Sequence, residues 1–376
     1  MKWFLRSAYL LIALFLVYNI WSGAGRNYVY KCSYKTKLQS YGQNSGKGNI
    51  LGVQPWFTPF DFSRASSFYE ILDFHFRQAQ LAGYMNGKTI VVLPEYVGTW
   101  LVVAGEKHSV FTTKEIQPAM RRIVFSNLGG FVMRYFQSGS DDRSREAIFR
   151  MKAIRMKNIY EKIFSELAKK YKVTIVAGSI VLPGPNVADG QLRVNKKEKL
   201  YNVCCLFKPD GKIQLPLVLK QFPIKEEKLF TACAPGNNMP VFDTPGGKLG
   251  VLICADSWYP QSYEKLYNAD EVVVPSYVAP AGSWQKNWEG YSGFKKPADV
   301  ETDDVQNISE KEAWEKYALN GRAKQYGIRN GMTVFLRGEF WDMGSDGNPL
   351  VYSDTAKFES QPQYEGEGLI TNLWLQ

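Results

Sequence analysis

Histidine is almost missing from this chain. His75 and His108 are the two in 376 residues. Neither stands beside a readable motif, so a triad that needs an imidazole has few candidates. Cysteine is scarce too: Cys204 and Cys205 are adjacent, and Cys32, Cys233 and Cys254 stand alone. An odd, sparse set excludes a disulfide scaffold, and its spacings are not those of metal ligands. No metal and no cofactor are expected. There is no internal repeat and no low-complexity tract. Acidic residues are outnumbered, 36 against 46 Lys and Arg, for a formal net charge of +10. That excess suits nucleic acid, an anionic membrane surface or plain solubility. The densest basic run, 193–199, reads as a solvated loop without a recognition motif, so nucleic acid is not an expected partner. From 339 onward the chain turns acidic, with Glu339, Asp342, Asp346, Asp354, Glu359, Glu365 and Glu367 against Lys357. The positive charge therefore belongs to the earlier chain. Aromatic residues, at 14%, are numerous enough to line a pocket or an interface.

The first residues form a separate object. Lys2 and Arg6 precede an almost wholly apolar run over 7–21, and Ser22-Gly23-Ala24 follows as a small-residue cleavage site. The run is short against the roughly 20 residues of a full span, yet uncleaved it can anchor the chain. Residues 1–24 are accordingly read as a signal peptide or membrane anchor, with membrane association through 7–21. Residues 25–48, rich in Lys, Ser, Gly and Tyr, read as a linker, and 49–376 as the folded domain. No lipobox precedes Cys32. Arg26, Lys31, Lys35 and Lys37 follow the apolar run as densely as positive charge precedes it, so charge does not set its orientation. The expected location is exported or membrane-associated, with the domain outside the cytoplasm.

From residue 49 strand and helix signals alternate. The run 49–54 reads as a strand stopped by Pro55, and 64–85 carries Phe68, Ile71, Leu72, Phe76, Ala79 and Leu81 as a helical stripe. A second buried strand over 89–93 ends at Pro94, with Glu95 next. A long basic helix is predicted over 142–172 and a strand over 173–181. Lys208-Pro209-Asp210-Gly211-Lys212 turns between strands at 200–207 and 213–219. Further strands are predicted at 249–253, 271–276 and 332–337, with a helix near 313–326. Such interleaving implies an α/β fold, a mixed sheet with helices outside. Two weakly patterned segments, 102–142 and 281–312, read as functional loops or lids. Trp284, Trp288 and Tyr291 in the second form either a substrate wall or a local cluster.

Three strand ends carry chemistry. Glu95 follows Leu93-Pro94, Lys220 follows the run 215–219, and Cys254 ends the run 249–253. A charge placed directly after a buried strand reaches solvent or meets a partner in a pocket, because burying it alone is costly. A thiol at the carboxyl end of a buried strand stands where open α/β sheets place their ligands. Taken singly, each is commonly a solvated strand end or an inert thiol.

Taken together, Leu93-Pro94-Glu95, Leu219-Lys220-Gln221-Phe222-Pro223 and Gly250-Val251-Leu252-Ile253-Cys254-Ala255-Asp256-Ser257-Trp258-Tyr259-Pro260 resemble, in order and spacing, the three signatures of the nitrilase (carbon–nitrogen hydrolase) superfamily. Pro209-Asp210-Gly211, Val274-Pro275-Ser276, Asn320-Gly321-Arg322-Ala323 and Ser345-Asp346-Gly347 extend the resemblance over about 49–376. The apolar leader, the long segments after Trp100 and Ala281, and Ala255, where many members carry a larger residue, depart from the pattern.

The resemblance implies a nitrilase-like four-layer α-β-β-α sandwich with mixed sheets. It implies Cys254 as nucleophile, Glu95 as general base, and Lys220 with the backbone N–H of Ala255 as oxyanion donors. A second carboxylate is expected just past the lysine, at Glu227 or Glu226, while Asp256 is read as fixing the turn after the nucleophile. The implied activity is hydrolysis of a small non-peptide amide through a Cys thioester. The alternatives are acyl transfer from that thioester to an amine at a membrane, nitrile hydrolysis, or a binding scaffold of the same fold. The expected partners are a small-molecule amide or acyl substrate and a second copy of the chain.

Overall fold

The computed structural model describes residues 2–30, 32–236, 239–358 and 364–376. Lys31 and Glu359, used above in reading charge, lie outside the described residues. Two sheets face one another. The larger has seven strands in the order Thr36–Tyr41, Gly368–Trp374, Asn49–Gln54, Thr89–Val92, Thr174–Pro183, Leu200–Phe207 and Ile213–Leu219. The smaller has five: Val241–Thr244, Gly247–Val251, Glu271–Ser276, Asn330–Phe335 and Leu350–Ser353. Both mix parallel and antiparallel pairs.

The pleat sorts each strand's side chains between two cores. Ile50, Ile90, Val92, Val176 and Leu206 point inward and pack with Leu249, Val251, Val273, Met332 and Val334 of the other sheet. Their neighbours Leu51, Val91, Ile175, Ala177 and Phe207 point outward, onto the helices Ala65–Leu81 and Arg143–Tyr171 through Phe68, Phe76, Tyr160 and Phe164. On the outer face of the smaller sheet, Leu252, Val272 and Val274 pack with Tyr263, Leu266, Leu319 and Ile328. The layers are therefore α-β-β-α, as the family resemblance implied. The central strands are buried on both faces, which is why they read as unbroken apolar runs. At Gly52 the sheets come so close that a Cβ would stand 2.5 Å from Met332 Sδ.

Three stretches differ from the sequence expectation. The segment 25–48, read as a linker, contains the strand Thr36–Tyr41, paired in parallel with the last strand of the chain. It is a polar, half-exposed edge strand without an apolar run to announce it. The segment 102–142, read as a loop or lid, is helical over His108–Phe111, Ile116–Ser126 and Leu128–Gln137. Gly129-Gly130 weakens the local helix signal, and apolar residues of the last helix face outward, which blurs a core-facing pattern. The helix near 313–326 is broken into Glu310–Tyr317 and two short turns. The segment 281–312 is irregular but packed: Trp288 N–H donates to Ile308 O (2.8 Å), and Gln306 N–H donates to Trp288 O (2.8 Å).

Residues Lys2–Gly23 form one helix. The stretch Trp3–Gly23 is long and apolar enough to cross a membrane, and none of its most apolar window is buried.

Candidate active site

The sheet topology brings the three strand ends to one edge. Thr89–Val92 and Thr174–Pro183 run parallel, Leu200–Phe207 runs opposite, and Ile213–Leu219 reverses again. Glu95 and Lys220 thus leave their strands on the same side, and Leu200–Phe207 begins there, with Asn202 two residues in. Gly247–Val251 of the smaller sheet delivers Cys254 to the same place. A bulge in Thr174–Pro183 shapes the Glu95 turn: Gly178 has φ +63°, and a Cβ there would run into the Pro94 carbonyl. Ser179 Oγ then accepts the Tyr96 N–H at 2.9 Å.

Lys220 is the hub. Its Nζ lies 2.8 Å from Glu95 Oε1 and 2.7 Å from Glu227 Oε2, and all three side chains are buried. Asn202 Nδ2 donates to Glu95 Oε1 at 2.9 Å and to Glu227 Oε1 at 3.4 Å. Tyr96 O–H donates to Glu227 Oε1. Glu227 also caps its own short helix, its Oε2 accepting the Ile224 N–H at 2.8 Å. The Cys254 Sγ lies 3.8 Å from the Tyr277 carbonyl. Both Tyr96 (φ +62°) and Cys254 (φ +50°) sit in the left-handed region. For residues with a Cβ that conformation is uncommon and persists where surrounding structure over-determines it. At Cys254 the holding group is Asp256, buried, whose carboxylate accepts Gln221 N–H (2.9 Å), Phe222 N–H (2.8 Å) and Ile253 N–H (3.3 Å).

The electrostatics follow from burial and count. One ammonium faces two carboxylates and a thiol. Burial raises the Glu95 carboxyl to about 7; Lys220 opposes that and Glu227 adds to it. Burial alone would lower the Lys220 ammonium, but Glu227 and Glu95 together hold it well above its ordinary value. The Cys254 thiol is pushed up by burial and by Glu95, so it rests protonated.

Glu95, Lys220 and Glu227 therefore meet beside Cys254, while Glu226 points to solvent one residue away. Ala255 follows the thiol at the start of the turn Cys254–Trp258, where first-turn N–H groups lack helical partners. Asn202 and Tyr96 were not anticipated. A lone amide in Leu-Tyr-Asn-Val-Cys-Cys-Leu-Phe was the available signal for the first. Trp284 and Trp288 are core residues, packed on Phe335 (5.0 Å) and Trp258 (5.6 Å). Tyr291 is half-buried and packs beside Tyr259 (5.3 Å), which stacks on Phe222 (4.0 Å). Among the described residues no three His, Cys, Asp or Glu side chains gather to hold a metal ion.

Fold and cluster together define a class: four-layer α-β-β-α proteins with Cys, Lys and Glu side chains gathered where the strands end. The chain belongs to the carbon-nitrogen hydrolase family, whose model matches residues 80–292. It is 29% identical over 167 residues to a probable hydrolase of Bacillus subtilis, covering 39% of this chain and 30% of that protein. It is 26% identical over 193 residues to nitrilase 2 of Arabidopsis thaliana, covering 49% and 52%. An omega-amidase of Danio rerio is 36% identical over 101 residues, covering 25% and 32%. The chain thus spans about half or less of the length of these relatives. An amidase from Nesterenkonia sp. AN1 superposes over 88% of this chain and 93% of its own, with a TM-score of 0.51 at 15% identity. That likeness is one of fold.

Proposed function

We propose that this chain hydrolyses small amides at C–N bonds other than peptide bonds, through a thioester on Cys254. The observation that carries the reading is one buried ammonium, Lys220, shared by Glu95 and Glu227 beside the thiol. Glu95 takes the Sγ proton as sulfur attacks the carbonyl carbon, and a carboxyl lifted to about 7 suits that exchange near neutrality. An ammonium has three donors. Two are used by Glu95 and Glu227, which leaves one for the developing oxyanion together with the Ala255 N–H. A donor of that kind contributes about 3 kcal/mol. The intermediate collapses, the amine leaves with the proton from Glu95, and the acyl group stays on sulfur. Glu95 then takes a proton from water, whose oxygen attacks the thioester and releases the acid and the thiol. Glu227, Asn202 and Tyr96 hold Lys220 and Glu95 in place.

A relative supports this reading: one of the matched proteins is an omega-amidase. Acyl transfer to an amine is the second reading, favoured by the exposed apolar helix Lys2–Gly23. It shares the first half of the reaction and differs in the acceptor. Hydrolysis stands first because water is always at hand for a thioester. The same helix supports export or membrane retention, with the domain outside the cytoplasm.

Intact-mass analysis of Glu95→Gln against a panel of amides, nitriles and acyl-lipids tests both readings. The expected result is a trapped acyl mass on Cys254, absent from Cys254→Ala, and the mass identifies the acyl group. Undiminished turnover by folded Cys254→Ala would sink the proposal.

A further inference from the structure

We propose that the helical hairpin Ile116–Ser126 and Leu128–Gln137 is a second membrane contact, seating the domain on the leaflet that receives the helix Lys2–Gly23. The depth marker comes first. Tyr18 and Trp21 stand near the end of the apolar helix, and such aromatic residues settle at the headgroup level of a bilayer. Arg26 and Lys107 lie just beyond them: Lys107 Nζ sits 3.5 Å over the Trp21 ring. The bend of the hairpin is pinned at this level. Tyr18 O–H donates to Phe125 O at 3.1 Å, and its oxygen accepts the Leu128 N–H at 2.9 Å. Ser22 Oγ and Arg26 Nη2 both donate to Ser126 O, at 2.6 and 3.0 Å. Wherever the apolar helix places Tyr18 and Ser22 in a leaflet, Phe125–Leu128 come to the same depth.

What the hairpin presents outward from that pinned bend is apolar. Leu128, Val132 and Phe136, four residues apart, form one exposed stripe, widened by Met133 and Phe125. Phe136 is 82% and Phe125 58% exposed. Of the residues in Leu128–Gln137 none is fully buried. Phe131 and Gly130 face the domain, Phe131 against the core and Gly130 over Met151. Exposed apolar patches of this kind on a soluble domain mark an interaction surface. The flanks are basic: Lys114, Arg121, Arg122 and Arg134 against the single Glu115. An apolar stripe with a cationic margin describes a helix lying in the interface of an anionic bilayer. Between the two elements runs a groove of about 410 Å³ lined by Tyr18, Trp21, Phe125 and Leu128 together with Lys107 and Arg122. A mainly apolar groove with two cationic side chains in its lining suits an acyl chain below an anionic headgroup. The occupant is therefore lipid, continuous with the lipid around the helix.

The test uses the full chain reconstituted in phosphatidylcholine–phosphatidylglycerol vesicles that contain a phospholipid with a diazirine in its acyl chain. After irradiation, adducts are mapped by mass spectrometry. Labelling is expected in two stretches, 3–21 and 125–136. In Val132→Glu/Phe136→Glu, labelling of 125–136 should fall about fivefold while that of 3–21 is unchanged. Wild-type adducts confined to 3–21 overturn the proposal, whatever the variant does. So does a wild-type dimer in detergent that the double variant abolishes while 125–136 stays unlabelled, since the face then belongs to a second copy. Circular dichroism checks that the variant is folded, and the wild-type map decides on its own if it is not.

Discussion

Two buried lysine–carboxylate clusters among the described residues are alike in parts and opposite in balance. Near the sheet edge, Lys220 faces Glu95 and Glu227, with Asn202 donating to both carboxylates. Beneath the hairpin, Lys152 pairs with Glu106, Arg26 reaches the same carboxylate at 3.4 Å, and Asn127 donates to both its oxygens at 3.1 Å. The first cluster has two anions and a thiol to one cation. The second has two cations to one anion. In the first the surplus of acid helps hold a carboxyl near 7, ready to exchange protons. In the second burial lowers Lys152, Glu106 opposes the change, and Arg26 adds to it. Glu106 there ties Arg26 and Asn127, at the two ends of the N-terminal junction, to the long helix. A charge cluster is thus ambiguous until its charges are counted and the nucleophile beside it is sought.

Breaking one member of each cluster should separate the two. Glu95→Gln is expected to cut kcat/KM by about 10³-fold or more, since it removes the proposed base, with little change in unfolding midpoint. Glu106→Gln should leave the rate constants near wild type and cost about 3–5 kcal/mol in chemical denaturation, because Lys152 is left buried without its anion. A rate loss in Glu106→Gln as large as that in Glu95→Gln would erase the distinction. A finer test is the pH profile. In the proposed mechanism Glu95 must be ionised to act, so wild-type kcat/KM should fall about tenfold per unit below an inflection near 7. In Glu227→Gln the neighbouring carboxylate is gone, and the inflection should move down. A profile that stays put would argue that Glu227 does not act on Glu95. Asn202→Ser removes a donor that favours the ionised form, worth about 1 kcal/mol, so the inflection should move up and neutral activity drop severalfold. Least affected should be Tyr96→Phe, with about 1 kcal/mol lost in stability and the inflection displaced least.

Much of this was legible in the chain. Buried central strands announce themselves as apolar runs, which made Glu95, Lys220 and Cys254 candidates, but it was the resemblance of the three segments to one family's signatures that singled them out. Burial separated Glu227 from Glu226, and burial is what a linear sequence does not carry when two identical side chains are adjacent. Asn202 was illegible for a related reason. Its direction depends on a register shift between Leu200–Phe207 and its neighbours, and a one-residue slip would aim it elsewhere. The hairpin escaped because helix periodicity is read by its core face, and this one presents apolar residues to the outside.

Asp256 carries a consequence beyond its turn. Its carboxylate holds the chain on both sides of the cleft, the backbone just after Lys220 and the backbone just before Cys254. The two belong to different sheets. Three hydrogen bonds to one residue therefore tie the backbone after Lys220 directly to the backbone before Cys254, alongside the packing of the sheets across their apolar interface. Asp256 is thus a strut between the two sheets at the point where the clustered side chains meet.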